Sequence, residues 1–294
     1  MATETIKSPS FWERKSVKDV ITKAILYLIV LAGAFVLMIP FFWMLSTALK
    51  GQEEAFLIPP QWIPNPFHWE NFAIGWNTLP FWLYLKNTVT IIILTLIGQI
   101  FSASLVAFGF SRLQFPGRDT LFFVMLSTMM LPYQVTMIPT YILFRYLGWI
   151  DTFKPLIVPA YFGGGAFFIF LLRQFFLTIP LEMDDAARID GCNNLNIYLR
   201  IILPLAKPAL GTLAIFSFMG EWNDFMGPLI YINSMEKRTV ALGLAAFQAE
   251  TAFRSSGWNL IMAVAFLLML PCILIFFFAQ RQFIQGVVIT GVKG

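Results

Sequence analysis

Two groups of residues in this chain have types and spacings suited to chemistry or recognition. The first is Glu221-Trp222-Asn223-Asp224-Phe225, in which two carboxylates stand three positions apart and so share one face of a helix. Carboxylate and amide groups beside aromatic rings suit the hydroxyls and the apolar face of a sugar ring. The same set also suits a structural polar knot that bonds helix ends. A third reading makes Glu221 and Asp224 the proton or cation sites of an ion-coupled secondary transporter, because an ionisable group inside a membrane span is a functional candidate by default. The second group is the polar stretch 182–209, EMDDAARIDGCNNLNIYLRIILPLAKPA. Here Pro180 fits a first helical turn, and Glu182, Asp184 and Asp185 lie where a helix dipole favours negative charge. Gly191, after Asp190, is a helix stop. Asn193 and Asn194 can cap a second short helix over 195–203, which Pro204 ends.

Other chemistry is poorly provided for. The chain has no G-x-x-x-x-G-K-S/T loop, so the usual route to nucleotide hydrolysis is missing. Its one histidine, His68, cannot form a metal site alone and reads as an exposed loop residue. No nucleophile stands beside a base, which argues against an intramembrane enzyme. Cys192 falls in the polar stretch and Cys272 in an apolar one, so no disulfide framework is expected.

The elements that must position these groups are membrane helices. The composition, 58% hydrophobic and 12% charged with positive mean hydropathy, is that of a polytopic membrane protein. The basic residues are scattered at span ends and form no nucleic-acid-binding face. A bilayer core takes about 20 apolar residues in a helix, and six stretches approach this: 24–49, 87–111, 120–144, 155–172, 208–230 and 258–280. With the N-terminus inside, the inner segments carry 13 of the 20 Lys and Arg, among them Arg112, Arg118, Arg173, Arg188, Arg200 and Lys207. This asymmetry predicts both termini in the cytoplasm and the 182–209 stretch on the same side. The expectation is therefore an all-α fold of six spans over 24–280. It has a cytoplasmic segment 1–23, outer loops 50–86, 145–154 and 231–257, an inner loop 178–207 and a cytoplasmic tail 281–294. The first apolar run is too long for a signal-peptide core and is expected to stay as a span. Pro40, Pro132, Pro139, Pro159, Pro228, Pro271 and the triplet Gly163-Gly164-Gly165 interrupt the spans, either for close helix packing or as hinges. No internal repeat is visible, which removes the best sequence pointer to a secondary transporter.

Asp185-Ala186-Ala187, then Gly191, then nine residues, then Ile201-x-Leu203-Pro204 resembles the cytoplasmic EAA loop of permease subunits in binding-protein-dependent ABC importers. One departure is that Asp185 stands where the family's loop usually has glutamate. The 221–225 cluster, the stretch 242–248 and the tail 280–294 resemble the carbohydrate-uptake branch, in particular its second, maltose-type permease subunit. The resemblance implies a chain without catalysis or cofactor of its own, in the cytoplasmic (inner) membrane. Its implied partners are a second permease subunit, two ATPase subunits that bind ATP and Mg, and an extracytoplasmic sugar-binding protein. It also implies site residues. Glu182, Asp184, Asp185, Ala186, Ala187, Asp190, Gly191, Asn194, Leu195, Leu203 and Pro204 would dock in an ATPase cleft. The pathway would include Glu221, Trp222, Asn223, Asp224 and Phe225. A loop carrying Gln248, Glu250, Thr251 and Arg254 would reach the binding protein. The Pro- and Trp-rich stretch 59–72 suits a lipid interface or a protein contact, and the tail resembles one that packs near the ATPases.

Overall fold

A computed structural model of the chain describes the backbone of residues 15–254 and 257–291, and the side chains of 19–251 and 257–280. The ordered elements among them are all helices. The first, α1 (Lys15–Ala48), turns apolar side chains outward along its membrane-length portion Asp19–Ala48 and bears Pro40 within it. It leans on the last helix through Phe41 and Phe266, 5.6 Å between ring centres. A helix satisfies its own backbone, so such a surface needs only lipid or a partner chain around it. The carbonyls of Ala48 and Lys50 that close α1 accept both N–H groups of the Asn71 amide, at 2.9 and 2.8 Å. Asn71 belongs to α2 (Glu70–Thr78), reached after a stretch without regular helix that holds the 59–69 prolines and His68. That histidine is partly shielded, with Nδ1 2.7 Å from Glu70 Oε1.

The central element is α3 (Phe81–Arg112), 32 residues without a proline. Its buried stripe recurs at three- and four-residue steps through Tyr84, Thr88, Ile91, Thr95, Gly98 and Ser102. Ile93, Leu94, Ile97, Phe101 and Leu105 face outward. Polar and small residues therefore lie inside and greasy ones outside, the arrangement that lets membrane helices approach closely and hydrogen-bond. The Thr95 hydroxyl donates to Leu156 O and the Ser102 hydroxyl to Ala160 O, at 3.3 and 2.7 Å. The Tyr161 ring lies over Gly98, where any side chain would collide with it, and its hydroxyl donates to Leu94 O at 3.0 Å.

Several of the remaining spans are broken. The expected run 120–144 is split into α4 (Arg118–Ser127) with a following tight turn, and α5 (Tyr133–Tyr146), which meet at 98°. Pro132 lies at the break, where the residue before a proline is forced extended, as Leu131 is (φ −77°, ψ 118°). The run 155–172 becomes α6 (Lys154–Ile157), a tight turn over Val158–Tyr161, three glycines at φ 98°, 61° and 93°, and α7 (Ala166–Phe176). The polar stretch forms α8 (Glu182–Ile189), α9 (Asn194–Ile197) and α10 (Leu203–Leu205), the last two joined by a π-helical turn over Tyr198–Ile202. The run 208–230 is likewise two pieces, α11 (Lys207–Trp222) and α12 (Met226–Tyr231). The 248–257 connector, expected to be flexible, lies mostly in a helix, α13 (Val240–Arg254), as the helix formers Ala249, Glu250 and Ala252 favour. The final helix α14 (Trp258–Gly291) passes Gln280 without a break, into the tail whose side chains lie outside the described residues. Four stretches are long and apolar enough to cross a bilayer, Asp19–Ala48, Phe81–Arg112, Lys154–Phe176 and Trp258–Gln280. Two bent pairs bring the total to six if each is one span.

Two cores fill the ends of the molecule. One gathers Ala103, Phe108, Leu172, Phe176, Ala187, Ile197 and Leu213, and the other Phe81, Tyr84, Trp222, Val240, Phe247 and Val264. The helices of both close on α3. Gly164 combines close packing with backbone strain: a Cβ there would lie 3.1 Å from Ala103 Cβ, Gln99 O and Ser102 Oγ, on a backbone of positive φ. Gly164→Val is expected to cost about 1–3 kcal/mol through overpacking and strain. The check is a lower melting midpoint of the solubilised protein, with Gly117→Ala, whose Cβ meets open space, as comparison for backbone strain alone.

Candidate functional site

The polar stretch folds as a helix, a glycine elbow and a second helix. Gly191 adopts φ 82°, which residues with a Cβ avoid, and ends α8. The Asn193 side chain accepts the N–H of Asn196 at 2.9 Å and caps the second helix, while Asn194 is already its first residue. Two details differ from expectation. Pro180 lies before α8, with Leu181 as the flanking residue. Pro204 does not end the second helix, which continues to Leu205 before a 75° bend into α11. A proline lacks the N–H of a regular turn and its ring crowds the carbonyl four residues back. The π turn just before it widens the backbone there.

The side chains sort into two faces. Glu182, Asp185, Ala186, Asp190, Asn194 and Leu195 are exposed, together with Ile189 and Leu199, which the spacing did not single out. Asp184 and Ala187 are buried, so the chain's own core, not a partner, meets them. Leu203 is half-buried beside that core and Pro204 is exposed.

What Asp184 meets is Arg112, at the end of α3. The guanidinium donates to Phe176 O at 2.7 Å and Ile179 O at 2.8 Å, and its Nε lies 3.6 Å from Asp184 Oδ2, with both side chains nearly inaccessible. Arg112 thus satisfies carbonyls left over at the end of α7, where a helix terminus favours a cation, and neutralises the carboxylate of α8. A second tie joins the Tyr198 hydroxyl to Ser104 of α3 at 2.7 Å. The spacing singled out none of Arg112, Ser104 and Tyr198 as site residues. Arg112 counted there only as an orienting charge, and nothing in a single sequence pairs it with a residue 72 positions on. Burial pushes the Asp184 carboxyl up from the usual carboxylate range, opposed by the positive charge of Arg112.

The second group divides. α11 stops at Trp222, so Asn223 and Asp224 lie in a break and not on a continuous helix. Trp222 is buried, stacked on Phe218 with Nε1 donating to Leu268 O at 3.1 Å, and Asp224 accepts the Gly227 N–H of α12 at 3.0 Å. Glu221 and Asp224 do share a narrow gap with Thr88, Leu156 and Thr239, and both are half-buried. Trp222 and Asn223 line a separate cavity of about 290 Å³ with Met219, Leu244, Met269 and Cys272. Asn223 and Phe225 are exposed. The carboxylates and the amide are thereby directed to different spaces, and Trp222 and Asp224 already have structural partners.

Of the third group, Gln248 and Glu250 are exposed on α13, whereas Thr251 is buried with its hydroxyl donating to Phe247 O at 2.8 Å. The Arg254 side chain lies outside the described residues. Near the same end of the molecule, Asp151 joins two connections. Its carboxylate accepts the N–H groups of Asn233 and Ser234 at 3.0 and 2.8 Å, the Ser234 hydroxyl, and the Lys237 ammonium at 2.9 Å. The Ser234 donors first, then Lys237, hold its carboxyl well below the usual carboxylate range.

Among the described residues, several membrane-length apolar helices and an exposed polar helix pair fixed to one of them define an all-helical polytopic membrane protein. The family model described as binding-protein-dependent transport system inner membrane component matches residues 99–289, and the chain belongs to that family. It is 32% identical over 270 residues to the probable ABC transporter permease protein YurM of Bacillus subtilis, covering 92% of this chain and 87% of that one. The arabinooligosaccharides transport system permease protein AraQ of Halalkalibacterium halodurans is 33% identical over 214 residues, covering 73% and 75%. The sn-glycerol-3-phosphate transport system permease protein UgpE of Escherichia coli is 31% identical over 262 residues, covering 87% and 92%. Among solved structures, a chain of a bacterial ABC transporter for import of the acidic polysaccharide alginate superposes with a TM-score of 0.78 at 22% identity, over 93% of this chain and 99% of that one.

Two outcomes follow from the ties. Removing the cation of the Arg112–Asp184 pair in Arg112→Gln is expected to cost about 3–5 kcal/mol, as for one partner of a buried pair, while Asp184→Asn costs less because it also relieves a buried carboxylate. Because the Asp184 pKa is raised by folding, wild-type stability relative to Asp184→Asn should fall as pH rises through that raised value. Melting midpoints of the two variants across pH check both. At the other end, Asp151→Ala should speed hydrogen exchange of the Asn233 and Ser234 amides. The depressed pKa means that in the wild type this protection, present above the ordinary Asp range, is lost only as pH falls through the lower folded value.

Proposed function

We propose that this chain is one of two membrane-spanning subunits of an ABC importer for a carbohydrate, spanning the inner membrane six times with both termini in the cytoplasm. Of two partner ATPases, holding ATP and Mg, one would receive the exposed face of α8 and its elbow. A second permease would complete the pathway, and a binding protein would deliver the sugar from outside. The observation that carries this reading is the exposed helix pair, with the spacing of an EAA loop, locked by Arg112 and Tyr198 to α3. A docking element transmits force only if it is stiff and firmly attached, and this one is both.

The geometry revises which residues do the docking. Glu182, Asp185, Ala186, Ile189, Asn194 and Leu195 form the contact face; Gly191 sets the angle between the helices; Asp184 and Ala187 secure the element from behind. In the pathway, Asn223 is the exposed polar group that would meet a sugar hydroxyl, its amide oriented by a bond to Met219 O at 2.8 Å, and Trp222, Glu221 and Asp224 would shape the wall that presents it. The carbohydrate class is supported by the arabinooligosaccharide permease among the relatives and by the 221–225 and tail resemblances. Gln248 and Glu250 are the described residues of α13 available to the binding protein. A secondary transporter using Glu221 and Asp224 finds no support among the relatives, which are permeases of binding-protein-dependent and ABC systems.

Reconstituted with its partners in liposomes, the wild type should take up sugar only with ATP inside, and an uncoupler should leave uptake intact; uptake driven by an ion gradient without ATP would reject the importer. In the same system Gly191→Val should lower uptake about tenfold or more through loss of the positive-φ elbow, while ATP hydrolysis continues. Asn223→Ala should raise the half-saturating sugar concentration severalfold; an unchanged value removes Asn223 from the pathway.

A further inference from the structure

The polar contacts of α3 do not end with Arg112 and Ser104. Twenty-five positions away from Arg112, roughly 37 Å along the helix at its standard rise, Asn87 is buried and donates both N–H groups of its amide. They go to Glu236 O at 2.7 Å and Arg238 O at 3.0 Å. Its neighbour Thr88 accepts the N–H of Val240 at 2.9 Å and donates to Tyr84 O. Gly243, early in α13, lies against the Tyr84 ring so closely that a Cβ would collide with it. These contacts fix the 236–240 loop and the start of α13 on the end of α3 remote from the polar helix pair. Asp151 then binds the same loop, through Ser234 and Lys237, to the connection between α5 and α6.

We infer that α3 is a strut that carries displacement between the ATPase-facing helix pair and the opposite surface, and that Asn87 is the positioning residue that hands it to the 231–240 loop. The inference rests on the importer reading above. Coupling between distant sites travels through rigid elements and hydrogen-bonded contacts that move together. α3 is proline-free and unbroken from one set of contacts to the other. Three neighbouring paths are interrupted, at the 98° bend before α5, at the three glycines before α7, and at residues 223–225 after α11, while α1 and α14 are continuous but each bears an internal proline, Pro40 and Pro271. An amide is the suitable side chain at 87, because it supplies two donors to two carbonyls of a loop that has no strand partner for them. The chain would thus link ATPase closure to the shape of the surface that meets the binding protein. By linkage, the binding protein would act back on the ATPases through the same residue.

The test uses the whole importer, both permeases and both ATPases in lipid nanodiscs, and measures ATP hydrolysis with and without sugar-loaded binding protein. Asn87→Asp keeps the shape but removes both donors, and Asn87→Ser keeps one. The stimulation ratio should fall by about fivefold or more in Asn87→Asp, within the usual range of coupling factors, with Asn87→Ser intermediate. Binding-protein affinity for the ATP-bound complex should fall by a matching factor. Full stimulation in Asn87→Asp overturns the inference, and so does an equal loss of basal and stimulated rates, which marks a purely structural bond. Should Asn87→Asp fail to assemble, hydrogen exchange of the wild-type complex decides. Protection of the 236–240 amides that changes on ATP binding supports the strut, and unchanged protection overturns it. If wild-type hydrolysis ignores the binding protein altogether, the importer reading itself falls and takes this inference with it.

Discussion

The structure depends on one buried guanidinium. Arg112 closes the carbonyl end of α7, neutralises Asp184 of α8 and belongs to α3, so three elements that would otherwise meet through apolar contact are held by directed bonds. Burying a charge is costly unless its donors find acceptors, and two of those acceptors are backbone carbonyls that needed donors in any case. The Nε of Arg112 and Oδ1 of Asp184 have no hydrogen-bond partner within the chain, so the pair is not optimised for stability alone. Such a pair is better understood as fixing geometry than as adding net energy.

From that lock the rest follows in order. The polar helix pair is short and would be marginal in isolation, yet its buried face, with Ala187, Ile197, Tyr198 and Ile202, joins the core built on α3 and α7. Its other face is left exposed with three acids and several apolar side chains, a surface with both charge and grease for a soluble partner. α3 keeps its polar stripe inward and its apolar residues outward, so neighbouring helices can be broken without leaving unpaired backbone in lipid. The breaks at Pro132, at the three glycines and at Asn223 fall in elements around this continuous, proline-free helix.

Much of this was legible in the sequence, and the parts that were not share a cause. The helix, elbow and second helix could be read from Gly191 and Asn193 because caps and stops are local. The apolar runs announced the spans, but not their breaks, because hydropathy over a window of residues does not register a change of direction at Pro132 or the end of α11 at Trp222. A contact face was assigned to 184–187 as a block, whereas a helix turns Asp184 and Ala187 to one side and Asp185 and Ala186 to another. The carboxylates at 221 and 224 stand out because they are charged in an apolar run, but the end of α11 at Trp222 and the bond from the Gly227 amide to Asp224 are not visible there. The roles of Asn87, Ser104 and Arg112 as ties were not legible because their partners lie far along the chain. That is information a fold supplies and a single sequence does not.

The most direct test asks whether the polar helix pair and α3 move as one body. Spin labels on Arg188 of α8 and Leu105 of α3, both exposed, would report their separation by pulsed electron resonance in the assembled complex, with and without ATP. The account predicts one narrow distance, unchanged by nucleotide, while a pair from Arg188 to the partner permease changes. A separation between Arg188 and Leu105 that broadens or shifts when ATP binds would contradict it, because a lock that opens during the cycle cannot transmit the movement it is meant to carry.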